Sequence, residues 1–180
     1  MGNFVSVMTD EPALRRIVKS HDQAKFDEVL AICPQLATDR HRNAKLGCLR
    51  RLIDGDFTAE EQADGHHFIY LFFDICQACG QHKTTQEIYV DQDMFPEIWD
   101  FVWSAGDTPF GLPLSAYGAP AVGFWDDAGV KKWTKTFAEL DHAARSATAG
   151  KNYADEIGAL LDVLKLADQE GKGVYVFFSE

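Results

Sequence analysis

The sequence has 180 residues, of which 46% are hydrophobic and 25% are charged, proportions typical of a globular protein and not of a disordered or collagen-like chain. Its 28 acidic residues outnumber its 17 Lys and Arg residues, and the resulting net charge of −11 disfavours nucleic acid as a partner because phosphate is repelled. No apolar stretch reaches the roughly 18 residues of a membrane span, so a membrane is not expected as a partner either.

The first third of the chain predicts one strand followed by three helices. Apolar residues suited to a partly buried strand come first: Phe4, Val5, Val7 and Met8. Thr9 or Asp10 caps the first helix, and Ser20 caps the second. The third covers residues 38–53, and its basic residues are expected to face solvent: Arg40, Arg42, Lys45, Arg50 and Arg51.

The middle of the chain contains the most apolar helix, which Thr58 is expected to cap. Its inward stripe follows the helical period: Phe68, Phe72, Ile75, Cys76 and Cys79. A helix that is apolar nearly all round is usually central, so we expect this one to form the core. Residues 84–90 are either a short strand or an extended connection, and Asp93 then caps a helix with Pro96 in its first turn.

The last third begins with an irregular segment, residues 106–120, which holds three Gly and three Pro. A short strand over residues 121–125 follows, and then a helix that Asp126 caps. A final helix over residues 153–169 leads to a closing strand over residues 174–178. Since both ends are strand-like and the middle is helical, we predict a single α+β domain over residues 1–180, rich in helix, with a small sheet that includes both terminal strands.

The order of the terminal elements resembles a known family. The strand at the start, the glycine-bearing strand around Gly123 and the passage from Leu161 and Leu164 through Gly171 into the last strand are similar to the YfbM-like group of bacterial domains of unknown function. The similarity covers roughly residues 1–15 and 116–180. The resemblance implies a bacterial origin, and it transfers no functional residue because the group has no established activity.

Four cysteines are present, and two of them form a Cys-x-x-Cys pair, Cys76 and Cys79, with His82 close behind. Thiolate and imidazole are zinc ligands, so these three residues are the candidates for a metal site, and a redox pair is a second alternative. No second pair of ligands has comparable spacing, and both cysteines continue the apolar stripe. We therefore expect buried free thiols, no metal and no other cofactor. With no signal-peptide pattern at the N-terminus, the expected location is the cytoplasm.

His66 and His67 are the candidate catalytic residues. Either imidazole, paired with a nearby carboxylate, has the chemistry of a general base. The established sequence motifs of serine hydrolases, phosphate-binding loops and zinc proteases are missing. Packing or surface exposure of these histidines is the simpler interpretation, and an enzyme is the less favoured class.

The irregular segment holds the candidate binding residues: Phe110, Leu112, Leu114 and Tyr117. Two interpretations stay open, in which these side chains either fold inward over the core or remain exposed as anchors for a partner. We therefore predict a non-catalytic protein-binding or regulatory module, comparable to an immunity protein, whose partner is another protein. The alternatives are a small hydrolase or metal-dependent enzyme that uses His66 or His67, and a sensor of a small ligand.

Overall fold

A computed structural model describes residues 2–8, 11–38, 40–56, 65–79, 83–84, 88–90, 96–111, 121–146 and 154–179. In chain order the elements are β1 (Gly2–Met8), α1 (Glu11–Ile17), α2 (Gln23–Ile32), a 3-10 turn (Pro34–Ala37), α3 (Arg42–Asp54), α4 (Gly65–Ala78), β2 (Lys83–Thr84), β3 (Ile88–Val90), α5 (Pro96–Trp103), β4 (Ala121–Trp125), α6 (Asp127–Ser146), α7 (Ala154–Glu170) and β5 (Val174–Ser179). The fold is therefore α+β and rich in helix. Its sheet includes both terminal strands, as the sequence predicts.

The sheet has five strands in the order β2-β1-β5-β4, and β3 pairs with the same edge of β1 as β2 does. All pairs are antiparallel, with Met8 opposite Val174 and Trp125 also opposite Val174 on the other side of β5. Residues 84–90, predicted as a strand or an extended connection, contain part of this pairing. On β1, Phe4 is three residues before Val7, whereas their partners, Ile88 and Thr84, are four residues apart. The chain that pairs with this edge of β1 therefore has one residue more than β1 over the same interval.

Central strand β5 packs both of its faces against helices. Tyr175 and Phe177 belong to a hydrophobic cluster with residues of α1, α2, α3 and α4. Val174, Val176 and Phe178 belong to a second cluster with residues of α5, α6 and α7. Because successive side chains of a strand point to opposite faces, this double burial explains why five consecutive positions are apolar. The sheet thus lies between two helical layers.

Helix α4 occupies the centre of the first layer. Its predicted stripe is buried, and Phe72 meets Tyr175 edge to face with 5.2 Å between ring centroids. In the second layer, Phe101 meets both Trp133 and Phe137 at 5.4 Å in edge-to-face geometry. These aromatic contacts bring α5 and α6 together on the other face of the sheet.

Some element boundaries differ from the sequence-based predictions. The cap of α2 is Asp22 and not Ser20, since the Asp22 carboxylate accepts a 2.8 Å hydrogen bond from the Ala24 amide. The backbone of Lys19 and His21 adopts the left-handed conformation, with φ of 59° and 54°. Their amides donate to the carbonyls of Leu52 and Ile53 at 2.9 Å, so this loop satisfies the last turn of α3 and holds Ser20 away from the cap position.

Helix α3 begins at Arg42 and not at residue 38, and it ends at Gly55 in the left-handed conformation, as a glycine stop predicts. Asp126 caps α6 as predicted, accepting a 2.9 Å hydrogen bond from the Gly129 amide. The predicted caps Thr58 and Asp93 lie outside the described residues. Within the described part of the chain, no helix combines the length and apolar character that crossing a membrane requires.

Candidate functional site

The Cys-x-x-Cys pair lies in the core. Cys76 and Cys79 are buried, as are Cys33 and Cys48, and all four are free thiols. Burial raises the pKa of the Cys76 thiol, and the neighbouring Cys79 and Cys33 act in the same direction. Because the thiolate is the form that attacks or binds metal, this environment makes Cys76 unreactive. The third candidate ligand, His82, lies outside the described residues.

Cys33, the C-cap residue of α2, is a third buried thiol close to Cys76 and Cys79. Its Sγ donates to the backbone carbonyl of Asp74 at 3.6 Å. Burial raises the pKa of the Cys33 thiol to about 12, with further contributions from Asp74 and Cys79, while the Lys45 ammonium opposes them. The Cys33 and Cys76 thiols therefore remain protonated at neutral pH. Among the residues that the structure describes, no group of three or more His, Cys, Asp or Glu side chains is placed to hold a metal ion.

The candidate catalytic histidines lie in the first turn of α4. His67 is close to His41, just before α3, with 5.2 Å between ring centroids and 42° between the ring planes. The side chain of His66 is outside the described part of the structure. His41 lies 26 residues before His67 in the sequence. It is exposed, but the packing of α3 on α4 brings it beside His67.

The basic segment of α3 does not face solvent throughout, and the prediction for Lys45 is wrong. Its side chain is 10% exposed and its ammonium lies 3.0 Å from the carboxylate of Asp74 on α4. Arg50 and Arg51 lie over the rings of Phe26 and Phe68, at 4.3 and 5.2 Å from the centroids. Three cations of this segment thus support packing within the protein.

Of the four candidate binding residues, the structure describes one. Phe110 is buried and meets Phe72 edge to face at 6.1 Å, with the Arg15 guanidinium 5.5 Å from its ring centroid. Phe110 therefore packs inward over the core, which is one of the two interpretations that the sequence left open. Leu112, Leu114 and Tyr117 lie outside the described residues.

An exposed aromatic residue, Trp103, ends α5 three residues before this segment in the sequence. Trp103 is 43% exposed, and its ring meets the Phe178 ring in edge-to-face geometry with 4.7 Å between the centroids. Trp99, one helical turn earlier, lies 5.5 Å away. The sequence does not single out Trp103, because it directly follows the buried residues Phe101 and Val102 in one apolar run.

Trp103 forms one wall of an open apolar cavity of about 100 Å³, here called the α5–β4 cleft. The cleft is lined by Val102, Trp103, Ala105, Val122, Gly123, Val176 and Phe178. It lies where α5 ends over strands β4 and β5. These side chains carry no acid, base or nucleophile, so the cleft has the chemistry of an apolar binding site.

Small residues and aromatic contacts give the cleft its shape. The Trp125 indole donates a 3.1 Å hydrogen bond to the Phe101 carbonyl and thereby ties β4 to α5. Gly106 pairs with Phe124 through two backbone hydrogen bonds of 2.8 and 3.1 Å. The chain can come this close because Gly123 has no side chain: a Cβ there would lie 2.4 Å from the Cβ of Ala105.

The sequence interval that contains α5 and β4 is acidic. From Thr84 to Val130 the sequence contains no Lys, Arg or His, but it contains these acids: Glu87, Asp91, Asp93, Glu97, Asp100, Asp107, Asp126 and Asp127. Asp100 and Asp107, close to Trp103 in sequence, are exposed. This long interval without a basic residue is the sequence signal that could have located the surface.

A family model described as a domain of unknown function (DUF7691) matches residues 1–179. No curated protein and no solved structure matches the chain significantly.

Proposed function

The chain belongs to the DUF7691 family of domains of unknown function, and we propose that it is a non-catalytic protein-binding module that regulates its partner through the α5–β4 cleft. Such a module would act in the bacterial cytoplasm, in the manner of an immunity protein. The resemblance to the YfbM-like group is part of this proposal. It concerns the terminal strands and adjoining helices, and it adds no chemistry.

The observation that carries the proposal is Trp103, an exposed indole beside an open apolar cavity. Tryptophan is enriched among the residues that dominate binding energy at protein interfaces, and such anchors act next to pockets that exclude water. Trp133, in the same helical layer, is buried, so the exposure of Trp103 is specific to its position at the end of α5.

Two other functions arise from the sequence. A hydrolase or metal-dependent enzyme would use His66 or His67, and His67 contacts the imidazole ring of His41 among other groups. A small-ligand sensor would use the cleft itself. The cleft is open to solvent on one side and small, which favours a side chain presented by a larger partner over an enclosed metabolite.

The test compares partner binding by the wild-type protein, Trp103→Ala and Tyr70→Ala. Tyr70 is the matched control because its side chain is 44% exposed and it lies on α4, in the opposite helical layer. Proteins retained from extract of the source cells are identified and purified, and their dissociation constants are measured by calorimetry. We expect Trp103→Ala to weaken binding about tenfold or more, as truncation of an anchor does, and Tyr70→Ala to leave it unchanged.

Thermal unfolding must first show that both variants are folded. Equal binding by the wild type and Trp103→Ala contradicts the proposal, and so does the reproducible absence of a retained protein. Binding that Tyr70→Ala alone reduces would place the surface on α4 and would equally overturn the assignment to the cleft.

A further inference from the structure

We infer that the α5–β4 cleft takes a basic protein segment, which inserts one aliphatic side chain and places Lys or Arg on either side of it. This inference rests on the proposed function and specifies the chemistry of the partner. It follows from two independent properties of the surface, the size of the cavity and the sign of the charge around it.

The size of the cavity selects the inserted side chain. A cavity of roughly 150 Å³ is large enough for benzene, whereas the cleft measures about 100 Å³. A branched aliphatic side chain such as leucine matches this volume better than an aromatic ring does. Apart from the Trp103 indole, the side chains that line the cleft carry no hydrogen-bonding group, so an apolar side chain loses less hydration on insertion than a polar one does.

The charge around the cleft selects the flanking residues. Asp100 lies three residues before Trp103, so both occupy one face of α5, and both are exposed. Asp107 directly follows Gly106, whose backbone pairs with β4 beside the cleft. These two exposed carboxylates place negative charge beside the cleft. Complementary charge on a partner accelerates association and excludes partners of the wrong sign.

Trp103 itself favours the same partner. Its indole is partly exposed next to the cleft, and the face of an indole ring attracts Lys and Arg more strongly than other aromatic rings do. A segment that buries leucine in the cleft can therefore lay a neighbouring cation on the indole. Anionic lipid surfaces and nucleic acids are negatively charged, like this surface, and are therefore repelled by it.

The experiment uses three dye-labelled peptides with blocked termini: Gly-Lys-Lys-Leu-Lys-Lys-Gly, the same peptide with Ala in place of Leu, and the same peptide with Glu in place of every Lys. Binding to the full chain is measured by fluorescence polarisation at several salt concentrations. We expect the Leu peptide to bind about tenfold or more tightly than the Ala peptide, since burial of the larger side chain is lost. The Glu peptide is expected not to bind.

Variants of the protein separate the two contributions. Trp103→Ala should abolish the advantage of Leu over Ala, whereas Tyr70→Ala should retain it. The double variant Asp100→Asn/Asp107→Asn should weaken both Lys peptides and reduce their salt dependence, while the ratio of Leu to Ala binding stays the same.

Equal affinity for the Leu and Ala peptides, or for the Lys and Glu peptides, overturns the inference. If a natural partner nevertheless loses binding to Trp103→Ala, the proposed function stands and only the partner chemistry is wrong. Self-association that Trp103→Ala abolishes, measured by sedimentation, would make a second copy of the chain the occupant and would also overturn the inference.

Discussion

Lys45 and Asp74 form an ion pair between α3 and α4 with side-chain exposures of only 10% and 15%. Two ions taken out of water are stable only while each keeps its partner, since a single charge left in such a place has neither water nor a counter-ion. The pair also sets the electrostatic field at Cys33, where Asp74 raises the pKa of the thiol and Lys45 lowers it. One lysine thus joins two helices and acts on the buried Cys33 thiol.

Removing either partner should be costly, whereas replacing both should be mild. We expect Lys45→Met and Asp74→Leu each to lower the free energy of unfolding by about 3 kcal/mol, and the double variant to recover most of that loss. Urea unfolding measures all three. The control is Lys131→Met, which removes an exposed pair with Asp127 (2.7 Å) and should cost less than about 1 kcal/mol. Losses as small as the control for both single variants would show that the Lys45–Asp74 pair is hydrated.

Two glycines, Gly47 and Gly173, differ in how much space surrounds the place where a Cβ would be. Gly173 lies just before β5, and a Cβ at this position would lie 2.3 Å from the Phe124 ring and 2.8 Å from the Trp125 carbonyl oxygen. Because this position has no side chain, the chain can enter β5 directly beside its neighbouring strand β4. Gly47 lies within α3, is exposed, and has no other atom within 4 Å of the place where a Cβ would be. Its only effect is to make the unfolded chain more flexible.

The same substitution should therefore change stability in opposite directions at these two glycines. We expect Gly47→Ala to raise the free energy of unfolding by about 0.5–1 kcal/mol, because alanine favours the helix. Gly173→Ala should lower it by about 1–3 kcal/mol, because the ring or the backbone must move. Thermal and urea unfolding of both variants are the measurements. A neutral Gly173→Ala would mean that Phe124 moves aside without cost.

The two hydrophobic clusters share β5, which contributes Tyr175 and Phe177 to one and Val174, Val176 and Phe178 to the other. The helical layers are therefore coupled through the strand between them. The four tryptophans all belong to α5, β4 and α6 on one side of the sheet: Trp99, Trp103, Trp125 and Trp133. Tryptophan fluorescence consequently reports on the second layer alone.

This distribution of tryptophans tests the prediction of a single domain over residues 1–180. Leu52 is buried in the first cluster and Leu160 in the second. If the chain unfolds as one unit, Leu52→Ala should shift the fluorescence transition as much as Leu160→Ala does, with a loss of about 2–5 kcal/mol in each case. Circular dichroism should give the same midpoints. A Leu52→Ala variant that shifts only the circular dichroism would show that the layers unfold separately.

Patterns within single elements were sufficient for most of the architecture. The stripe of α4, the strand 121–125 and the apolar end of the chain appear in the structure as predicted, because helical and strand periods are local properties that burial of one or both faces imposes on the sequence. The class of the fold follows from the same patterns. The cap of α2 was wrong because a loop bound to α3, and not the local residue type, decides where Ser20 lies.

Only the tertiary structure decided which elements that are distant in the chain contact one another. The partner of Lys45 lies 29 residues away on another helix, and that of His41 lies at the start of α4. The inward position of Phe110 and the exposure of Trp103 depend on how α5 ends over the sheet. A helical period states which residues share a face, but it does not state which helix that face meets or where a gap is left. The candidate site is such a gap, and for this reason its existence is a property of the packing and not of any one segment.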